Sequence, residues 1–463
     1  MRRVLHILAA FLSASAALAQ APGIVWEQIH TDIAVSRPHC ARLSEEGELV
    51  VGFSSSYDVG TVRWFDLNGE LLYAVDVPWF ASGIRSLEVL SDGGVIATGD
   101  GMPTEASDDW GLLLCRFSPN GELLWAKAYD IPGAEDRGLD VEPLPDGGFA
   151  VCGYSETDGD KDAWVMRTDS QGDTLWSVQW GWIYNDAAVS IYYSDNGLAV
   201  LMKGRLPESG GGRPHLVRYS MDGEIEWMKY EEYKGTPIRM CEAVPEGYAM
   251  LVGKTVYRLD PLGSILWERN VPANGETWEM YTIEPVIYDG FIVAGFDDEK
   301  IEPGPDDPNS YLGRVSSSGE VMWWTSLERE TACWFHDVVQ LPQGGYMAVG
   351  RYGADNYFYL VRFEPETGIG EQEQPAPLLA IGSCVPNPGR GSVSIHWTSA
   401  GPGDTELTVF DISGRVVGRS GMGILAAGEH SSSWSSEGLP PGCYIVRLTC
   451  GSQSAAAKVI LLN

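Results

Sequence analysis

Short runs of alternating apolar and polar residues, broken by glycine-rich turns, extend through most of this chain. Residues 145–176 contain one cycle: a glycine turn and an apolar run, the alternating run AWVMRTD, the polar turn SQG, and a run that ends at Trp176. Apolar residues at every second position between hairpin-forming turns predict β-strands. With the strand that precedes the first turn, each cycle predicts four strands.

The cycle recurs about every 50 residues. Its turn and following strand return at 44–52, 91–99, 194–204, 245–253, 288–295 and 342–350. An arginine marks the third strand of each copy, at Arg63, Arg116, Arg167, Arg218, Arg258, Arg314 and Arg362. An aromatic residue marks the fourth strand, at Tyr73, Trp125, Trp176, Trp227, Trp267 and Trp323. This period is typical of propeller blades, so we predict an all-β fold with a seven-bladed β-propeller over residues 20–368.

The seventh copy ends without a fourth strand, whereas residues 23–30 form a strand-like segment with no copy of their own. We predict that this segment closes blade seven and that Trp26 supplies the missing aromatic ring. Each recurring tryptophan is expected to wedge between blades, where burial contributes up to about 5 kcal/mol. The seven arginines are expected to be structural and to meet a carboxylate or carbonyl near the blade edge.

The connections between second and third strands, and those between blades, are the long and variable ones, and in a propeller they share one face. Binding sites usually lie on such loops. Aromatic residues on this long-loop face are our candidate ligand contacts: Trp79, Phe80, Trp182, Tyr184, Trp278, Trp334 and Phe335. The alternative, which we favour for the rings in general, is that they seal the junctions between blades.

Asp158, Asp160 and Asp162 have the spacing that begins a calcium-binding loop, but the glycine and glutamate that complete such a loop are absent. We favour a solvated acidic loop over a metal site and expect no cofactor, with calcium as the alternative. The histidines of the propeller, His30, His39, His215 and His336, are scattered and mark no site. No recognisable nucleophile or metal motif is present, which favours binding over catalysis without excluding an enzyme.

Residues 1–19 have the basic start, short apolar run and Ala17-Leu18-Ala19 site of a secretory signal peptide. No later run is long and apolar enough to span a membrane. The formal net charge is −33, and its excess lies before residue 384. That charge repels phosphate backbones, so we expect no nucleic-acid partner. Cys443 and Cys450 are predicted to share a strand, too far apart to pair; the other disulfides stay open.

Residues 369–383 resemble a linker, and residues 384–463 alternate in the manner of a small Ig-like β-sandwich. The segment resembles the C-terminal sorting domain of type IX secretion. The matching residues include Asn387, Asp411, Gly414, Arg415, Gly428, His430, Trp434, Gly442, Tyr444 and Lys458. The resemblance implies delivery by the outer-membrane secretion machinery to the surface or the medium of a Gram-negative bacterium. Related sandwich domains also occur in flagellar hook-capping proteins.

The repeat RFSPNGELLWAKAYD at 116–130 resembles quinoprotein-type (PQQ-like) propellers and repeat propellers of exported bacterial proteins. Such dehydrogenases usually carry an adjacent cysteine pair and eight blades, and neither feature occurs here, so no quinone cofactor is expected. Our interpretation is an exported, non-catalytic propeller that binds a glycan or a protein. The alternatives are a glycan-cleaving hydrolase or lyase with carboxylates in the funnel, and a passive surface or adhesion component.

Overall fold

The computed structural model describes residues 20–461 with gaps. The signal segment, residues 1–19, lies outside the described residues. The gaps are at 32–35, 45, 56–58, 103–109, 132, 182–184, 205–212, 231–232, 244–245, 272–277, 287–288, 298–309, 328, 330, 367–378, 386, 388, 400–402, 412–414, 426–427, 437, 441 and 451–452. The chain divides into two compact units, residues 1–368 and 369–463. The regular secondary structure of the described residues is β-strand throughout, which confirms the all-β prediction.

The strands of the first unit form antiparallel groups of four, which we call blades 1 to 7 after the order of their inner strands; the pairing of Ser54 with Gly83 joins the first two groups into one eight-stranded sheet. Blade 1 holds β2 (Ser36–Leu43), β3 (Leu49–Ser55), β4 (Thr61–Phe65) and β5 (Leu71–Asp76). Blade 2 holds β6 (Phe80–Val89), β7 (Val95–Met102), β8 (Gly111–Phe117) and β9 (Leu123–Tyr129). Blade 3 holds β10 (Glu135–Pro143), β11 (Phe149–Thr157), β12 (Asp160–Thr168) and β13 (Thr174–Trp180). Blade 4 holds β14 (Ala187–Ser194), β15 (Gly197–Gly204), β16 (Arg213–Ser220) and β17 (Ile225–Lys229).

Blade 5 holds β18 (Pro237–Glu242), β19 (Tyr248–Val252), β20 (Thr255–Leu259) and β21 (Ile265–Asn270). Blade 6 holds β22 (Trp278–Pro285), β23 (Phe291–Asp297), β24 (Ser310–Val315) and β25 (Val321–Leu327). Blade 7 holds β26 (Cys333–Gln340), β27 (Tyr346–Tyr352), β28 (Tyr357–Phe363) and β1 (Ile24–His30). Each inner strand contacts the inner strand of the next blade, and β26 contacts β2, so the inner strands form a closed ring.

The first strand of the described residues is the outer strand of blade 7. Strand β1 pairs antiparallel with β28 and places Trp26 opposite Arg362. Glu27 accepts hydrogen bonds from Tyr359, at 2.5 Å, and from Arg329 of the connection between blades 6 and 7. The two ends of the propeller sequence therefore meet in one sheet.

Neighbouring blades are joined by a contact that repeats around the ring. The fourth-strand aromatic ring of one blade lies on the glycine of the turn between the third and fourth strands of the next. Six such pairs occur among the described residues: Trp26 on Gly69, Tyr73 on Gly121, Trp125 on Gly172, Trp176 on Gly223, Trp227 on Gly263 and Trp267 on Gly319. These glycines have φ between 75° and 87°, and a Cβ on any of them would lie 3.0 Å or less from the ring. The turn therefore needs glycine for two reasons: its backbone has a positive φ, and the neighbouring aromatic ring leaves no room for a side chain.

Six of the seven recurring arginines stand opposite a fourth-strand tryptophan in the register, as Arg167 does opposite Trp176, whereas Arg63 stands opposite Ala74. Their guanidinium groups reach groups of the turns. Arg116 donates to Asp92 and to the Phe117 carbonyl, and Arg258 donates to the Leu259 and Glu246 carbonyls. Arg63 differs, since it donates to the Thr61 hydroxyl and lies over the Phe53 ring. The contacts of Arg116 and Arg258 are the carboxylate and carbonyl contacts expected of a structural arginine.

The second unit contains two sheets that share one apolar core. One sheet has the order β29 (Leu379–Val385), β30 (Ser392–Ser399), β33 (Gly428–Ser435), and the other has the order β32 (Val416–Leu425), β31 (Gly403–Asp411), β34 (Gly442–Cys450), β35 (Gln453–Leu461). Trp397 and Trp434 of the first sheet pack with Leu407 and Tyr444 of the second. Asn387 binds the last strand, because its side chain donates to the Lys458 carbonyl and accepts from the Ile460 amide.

Two expectations about chain segments need correction. Strand β29 begins at Leu379, inside the predicted linker, because Ile381 and Cys384 pack on the core of the second unit. The predicted acidic loop at Asp158, Asp160 and Asp162 is not a long connection between second and third strands, since β11 and β12 pair up to a two-residue turn at Asp158 and Gly159. The seven cysteines whose side chains are described are free thiols, and Cys443 and Cys450 lie on one strand, β34.

The contact between ring and turn glycine can be tested with two glycines of equal backbone geometry. Gly319 and Gly147 have φ of 84°, but a Cβ on Gly319 would lie 2.8 Å from Trp267, whereas on Gly147 its nearest neighbour is 3.8 Å away. Both alanine variants lose about 1–2 kcal/mol from the left-handed backbone. Gly319→Ala should lose about 1–3 kcal/mol more, because the ring must move. Urea unfolding of both variants measures the difference, and equal losses would contradict the wedge.

Closure of blade 7 by β1 can be tested by deletion of residues 20–30. The deletion exposes the edge of β28 and removes the Trp26 wedge, so the melting temperature should fall. Trp26→Ala alone keeps the strand and should cost up to about 3 kcal/mol, since the ring is only partly buried. Thermal denaturation of both variants should therefore show the larger loss for the deletion. A deletion variant with the full melting temperature would rule out closure by this strand.

Candidate functional site in the ring of inner strands

Every inner strand contains a β-bulge at an equivalent position, and β6 has a second irregularity between Phe80 and Gly83. The extra residues are His39, Arg85, Leu139, Val189, Ile238, Tyr281 and His336. A bulge bends its strand and changes the direction of the side chain it carries. Three of these side chains are aliphatic, and the other four are histidine, arginine or tyrosine. The inner strands therefore share the position of the bulge but carry chemically different side chains there.

In two blades the residue that follows the bulge is a buried aspartate, and its carboxylate joins neighbouring blades. Asp140 of blade 3 accepts hydrogen bonds from Ser86 of blade 2, at 2.7 Å, and from Ser190 of blade 4, at 2.8 Å. Asp337 of blade 7 accepts from Thr282 of blade 6, at 2.8 Å, and from the Ala41 amide of blade 1, at 2.9 Å. Each carboxylate thus holds three consecutive inner strands together, and the partners satisfy its buried oxygens.

In blade 6, two residues beyond the one that follows the bulge and towards the tight turns, Glu284 is contacted by two arginines. The Glu284 oxygen Oε1 lies 3.2 Å from Arg42 and 3.1 Å from Arg239. Arg42 also pairs with Glu88 at 2.7 Å, and both arginines lie within 4 Å of Asp337. The two arginines, Glu88 and Glu284 line a cavity of about 270 Å³ whose other walls include Glu142, Tyr192 and Cys241. We call them the turn-end network.

Burial dominates the protonation of this network. It raises the pKa of Glu284 to about 7, although Arg42 and Arg239 oppose the shift. The pKa of Glu142 is raised well above its ordinary value by burial and by the nearby Glu88 carboxylate. Both carboxyl groups therefore retain protons at a pH at which an exposed glutamate is ionised.

At the bulge level, nearer the long loops, a second group joins blades 6, 7, 1 and 2. The rings of His39 and His336 lie 6.2 Å apart, and Tyr281 meets His336 edge-on at 4.9 Å. His336 accepts a hydrogen bond at Nε2 from Arg351 Nε, at 2.9 Å. His39 shares a 2.6 Å hydrogen bond with Ser54. We call these residues, with Arg37 and Arg85, the loop-end cluster.

Both histidines of the loop-end cluster are neutral near pH 7. Burial lowers the pKa of His336 to about 3, with a further contribution from Arg351 and Arg37. Burial also lowers the pKa of His39 well below its ordinary value, and Arg85 is the next cause. The arginines supply the positive charge of the cluster. Asp100 pairs with one of them, Arg85, at 2.6 Å.

The predicted aromatic contacts fall into three classes. Trp182 and Tyr184 lie outside the described residues, as do the side chains of Phe80 and Trp278. Trp79 is half-buried against the core between blades 1 and 2. Trp334 is half-buried beside the loop-end cluster, with Arg351 5.0 Å from the centre of its ring and Phe296 edge-on.

One expected ligand contact needs correction, and so does the alternative of a metal site at the acidic loop. Phe335 is fully buried and stacks on Tyr359 in the core, so it cannot contact a ligand. Asp158, Asp160 and Asp162 do not converge, and the described residues contain no group of carboxylates, histidines or cysteines that could hold a metal ion. The reason is the hairpin: Asp158 is in the turn, while Asp160 and Asp162 are extended residues about 7 Å apart.

Sequence reasoning also missed the histidines as a pair. His39 and His336 stand eight positions before the turn glycines Gly47 and Gly344. Arg85 stands eight positions before Gly93. A comparison of the copies position by position would therefore have placed all three at one level. The charged groups of the turn-end network had no motif to mark them, because their partners come from other blades.

Comparison with known proteins decides the nature of the second unit. Residues 383–462 match the family model described as secretion system C-terminal sorting domain. The chain carries a sorting domain. This domain marks proteins that the type IX system of Bacteroidetes secretes to the cell surface or outside, so the predicted localisation and the secretion machinery as a partner are confirmed. Of the sorting residues, Gly414 lies outside the described residues, Tyr444 is buried, and Lys458 is exposed on β35. No helix of the described residues is long and apolar enough to cross a membrane.

The matches to the first unit are more distant. A regulatory protein, FlaEY of Caulobacter vibrioides, is 28% identical over 150 residues, which cover 27% of this chain and 15% of that protein. The chain thus spans a small part of that relative. A protein of unknown function from Bacteroides caccae is 13% identical with a TM-score of 0.42, covering 59% of this chain and 92% of its own.

Two further solved structures cover about three-quarters of this chain. An inactive virginiamycin B lyase from Staphylococcus aureus, solved with quinupristin, is 13% identical with a TM-score of 0.48, covering 73% of this chain and 98% of its own. The PQQ domain of a pyranose dehydrogenase from Coprinopsis cinerea is 12% identical with a TM-score of 0.36, covering 74% and 98%. We draw no function from them.

The turn-end network predicts a specific pH dependence of stability. A carboxyl group with a raised folded pKa favours the folded state at low pH, and that contribution is lost as pH rises through the shifted pKa. Glu142→Gln removes the titrating group and keeps an acceptor for the Tyr193 amide. The variant should therefore gain free energy of unfolding relative to the parent between pH 5 and pH 8.

Urea unfolding at the two pH values measures this change. The matched control is Glu122→Gln, which removes the same charge from an exposed turn. Its difference from the parent should be similar at both pH values. An equally flat result for Glu142→Gln would show that the Glu142 carboxyl is not held protonated by the fold.

Proposed function

We propose that the first unit is a non-catalytic binding module that acts outside the cell and takes a glycan or protein ligand at the long-loop end of its ring. The sorting domain delivers it there. The binding residues are those of the loop-end cluster together with the half-buried ring of Trp334. Long loops around a rigid scaffold are a common position for a binding site.

One observation carries this proposal: the asymmetry of the bulge level. A side chain with a structural role recurs in every blade, as the third-strand arginines do. Bulge residues instead differ from blade to blade, and the polar ones occupy one sector, at His336, His39 and Arg85, with Tyr281 beside them. The bulge occurs in all blades, but the polar bulge residues are confined to one sector. This combination is typical of a ligand site.

The aromatic residues of the sector support a ligand with flat apolar faces. Tyr281 stacks on Phe296 with ring centres 5.1 Å apart, and Phe296 meets Trp334 edge-on. Tyr281 and Trp334 are half-buried, so each combines a fixed ring with some accessible surface. Sugar rings and protein side chains both use such surfaces.

A second candidate is a glycan-cleaving hydrolase or lyase with carboxylates in the funnel. Glu284 favours it, because a carboxyl group with a pKa of about 7 can serve as a general acid near neutral pH. Against it, the Glu284 carboxylate already contacts two arginines, an arrangement that also suits a structural ion network. A passive surface or adhesion component is the third candidate and requires no ligand at the loop-end cluster.

A glycan array probed with the mature chain, with and without calcium, tests the proposal. We expect retention without product formation. Trp334→Ala should weaken retention about tenfold, because it removes one aromatic contact of roughly 1.4 kcal/mol. The matched control is Tyr193→Ala. This variant removes a half-buried aromatic side chain near the tight turns, at the end of the propeller opposite to the long loops.

The other outcomes separate the candidates. Product formation would make the protein an enzyme and direct attention to Glu284. Equal retention by parent and Trp334→Ala would move the ligand away from the loop-end cluster. Absence of both retention and product would turn the search to protein ligands, and failure with those as well would leave the passive role.

A further inference from the structure

A groove lies between blades 2 and 3, next to the outer strand of each. Its volume is about 400 Å³, within the range of about 300–1,000 Å³ that is usual for small-molecule sites. The end of β9 lines one side, and the third and fourth strands of blade 3 line the other. We call it the blade 2–3 groove. It has no residue in common with the loop-end cluster or the turn-end network.

Blade 3 gives the groove a buried floor and a polar rim. Trp164 of β12 is paired with Gln179 of β13, and Met166 is paired with Ser177. Paired residues lie on the same face of a sheet, so all four face the groove. Trp164 and Met166 are buried in the core between blades 2 and 3, whereas Ser177 and Gln179 are exposed. A ligand in the groove would therefore meet an apolar floor and hydrogen-bonding groups at its edge.

The floor contains a hydrogen-bond donor without an acceptor. Trp164 is 5% exposed, and its indole Nε1–H has no hydrogen-bond partner in the part of the chain that the structure describes. An indole N–H can only donate. Gln179 stands directly opposite and has an amide oxygen, yet it does not accept from Trp164. Because buried polar groups of native proteins are nearly always bonded, this donor points to an acceptor from outside the chain.

Other blades supply a partner of their own at the same position. Trp164 is the residue three positions before the recurring arginine of blade 3. In blades 4, 5 and 7, the residue at this position contacts a side chain in or next to the fourth strand of its own blade. These pairs are His215 with Tyr230, Thr255 with Asn270, and Tyr359 with Glu27. Blade 3 departs from this pattern, and a departure from a structural repeat is what a binding site requires.

We propose that the blade 2–3 groove binds a neutral sugar residue of a glycan, which accepts a hydrogen bond from Trp164 and exchanges hydrogen bonds with Ser177 and Gln179. This is a second binding site, and it does not depend on the proposed function of the loop-end cluster. Hydroxyl and amide side chains both donate and accept, as sugar hydroxyl groups do. The half-buried ring of Tyr129, whose hydroxyl donates to the Gly172 carbonyl, offers a fixed apolar face on the opposite wall.

The charge of the groove favours an uncharged sugar over an acidic one. The residues described along the groove include one charged side chain, Asp130, which is exposed at the rim. A carboxylate accepts hydrogen bonds from sugar hydroxyl groups but repels a carboxylate or a sulfate of a ligand. The formal net charge of −33 acts in the same direction.

The indole N–H signals of the mature chain, labelled with ¹⁵N-tryptophan, test this inference. The Trp164 signal is assigned by its loss in Trp164→Phe, and the Trp334 signal by its loss in Trp334→Ala. The neutral probes are cellohexaose, maltohexaose and laminarihexaose, and oligogalacturonate is the charged counterpart. We expect at least one neutral probe to shift the Trp164 signal, whereas oligogalacturonate at the same concentration should leave it in place.

Two surface variants provide a matched comparison by isothermal titration with the neutral probe that binds. Gln179→Ala removes an amide from the rim and should weaken binding about fivefold to tenfold. Asn270→Ala removes an exposed amide at the same register position of blade 5, where it accepts from Thr255, and should leave the affinity unchanged. Equal losses in both variants would overturn the site. This comparison requires no substitution in the core, so it stands even if Trp164→Phe folds poorly.

The outcomes separate this site from the proposed function. A shift of the Trp164 signal with an unchanged Trp334 signal supports the groove. A shift of the Trp334 signal alone supports the proposed function and overturns the groove. No shift of the Trp164 signal with any neutral probe, as expected of a groove that takes up only water, overturns the inference as well. An equal shift with oligogalacturonate would overturn the assignment of a neutral sugar.

Discussion

The first unit depends on the contact between an aromatic ring and a glycine of the next blade. Each blade is four strands wide and has two faces to cover. The ring on its outer strand covers part of that area by lying on a turn whose glycine has no side chain. Because the turn is in a left-handed conformation, glycine is also the residue that this backbone favours. Glycine thus satisfies both the local conformation of the turn and the packing against the neighbouring blade. The pair of aromatic side chain and glycine can therefore repeat from blade to blade.

Closure of that ring makes the inner strands a rigid frame. Asp140 and Asp337 tie three inner strands each, and the turn-end network adds Arg42 of blade 1 and Arg239 of blade 5. Buried charges of this kind are costly unless they are paired, and here each arginine meets carboxylates of other blades. The network therefore forms fully only when the blades are in place, which links the first and last parts of the sequence to the centre.

In this frame the structural residues and the candidate binding residues lie at different positions along the blades. Outer strands carry the repeated aromatic residues, and the turn-end network joins the blades near the tight turns. The bulges give each inner strand one side chain that is free of the repeat, and the polar ones gather in the sector from blade 6 to blade 2. That sector contains neutral histidines beside arginines, in a chain whose composition is acidic.

The sequence by itself determined the strands, their grouping by fours, the recurring arginines and aromatic rings, and the sorting domain. These features depend on local alternation, on turn glycines and on motifs that are short in sequence. It did not determine that His39 and His336 meet, that Arg42 and Arg239 share Glu284, or that Phe335 is buried while Trp334 is partly exposed. Those relations join residues up to about 300 positions apart, and the curvature of the ring decides them. Only the tertiary structure brings these residues together. The repeat in the sequence describes the contacts within one blade, whereas the contacts at the centre of the ring are formed between different blades.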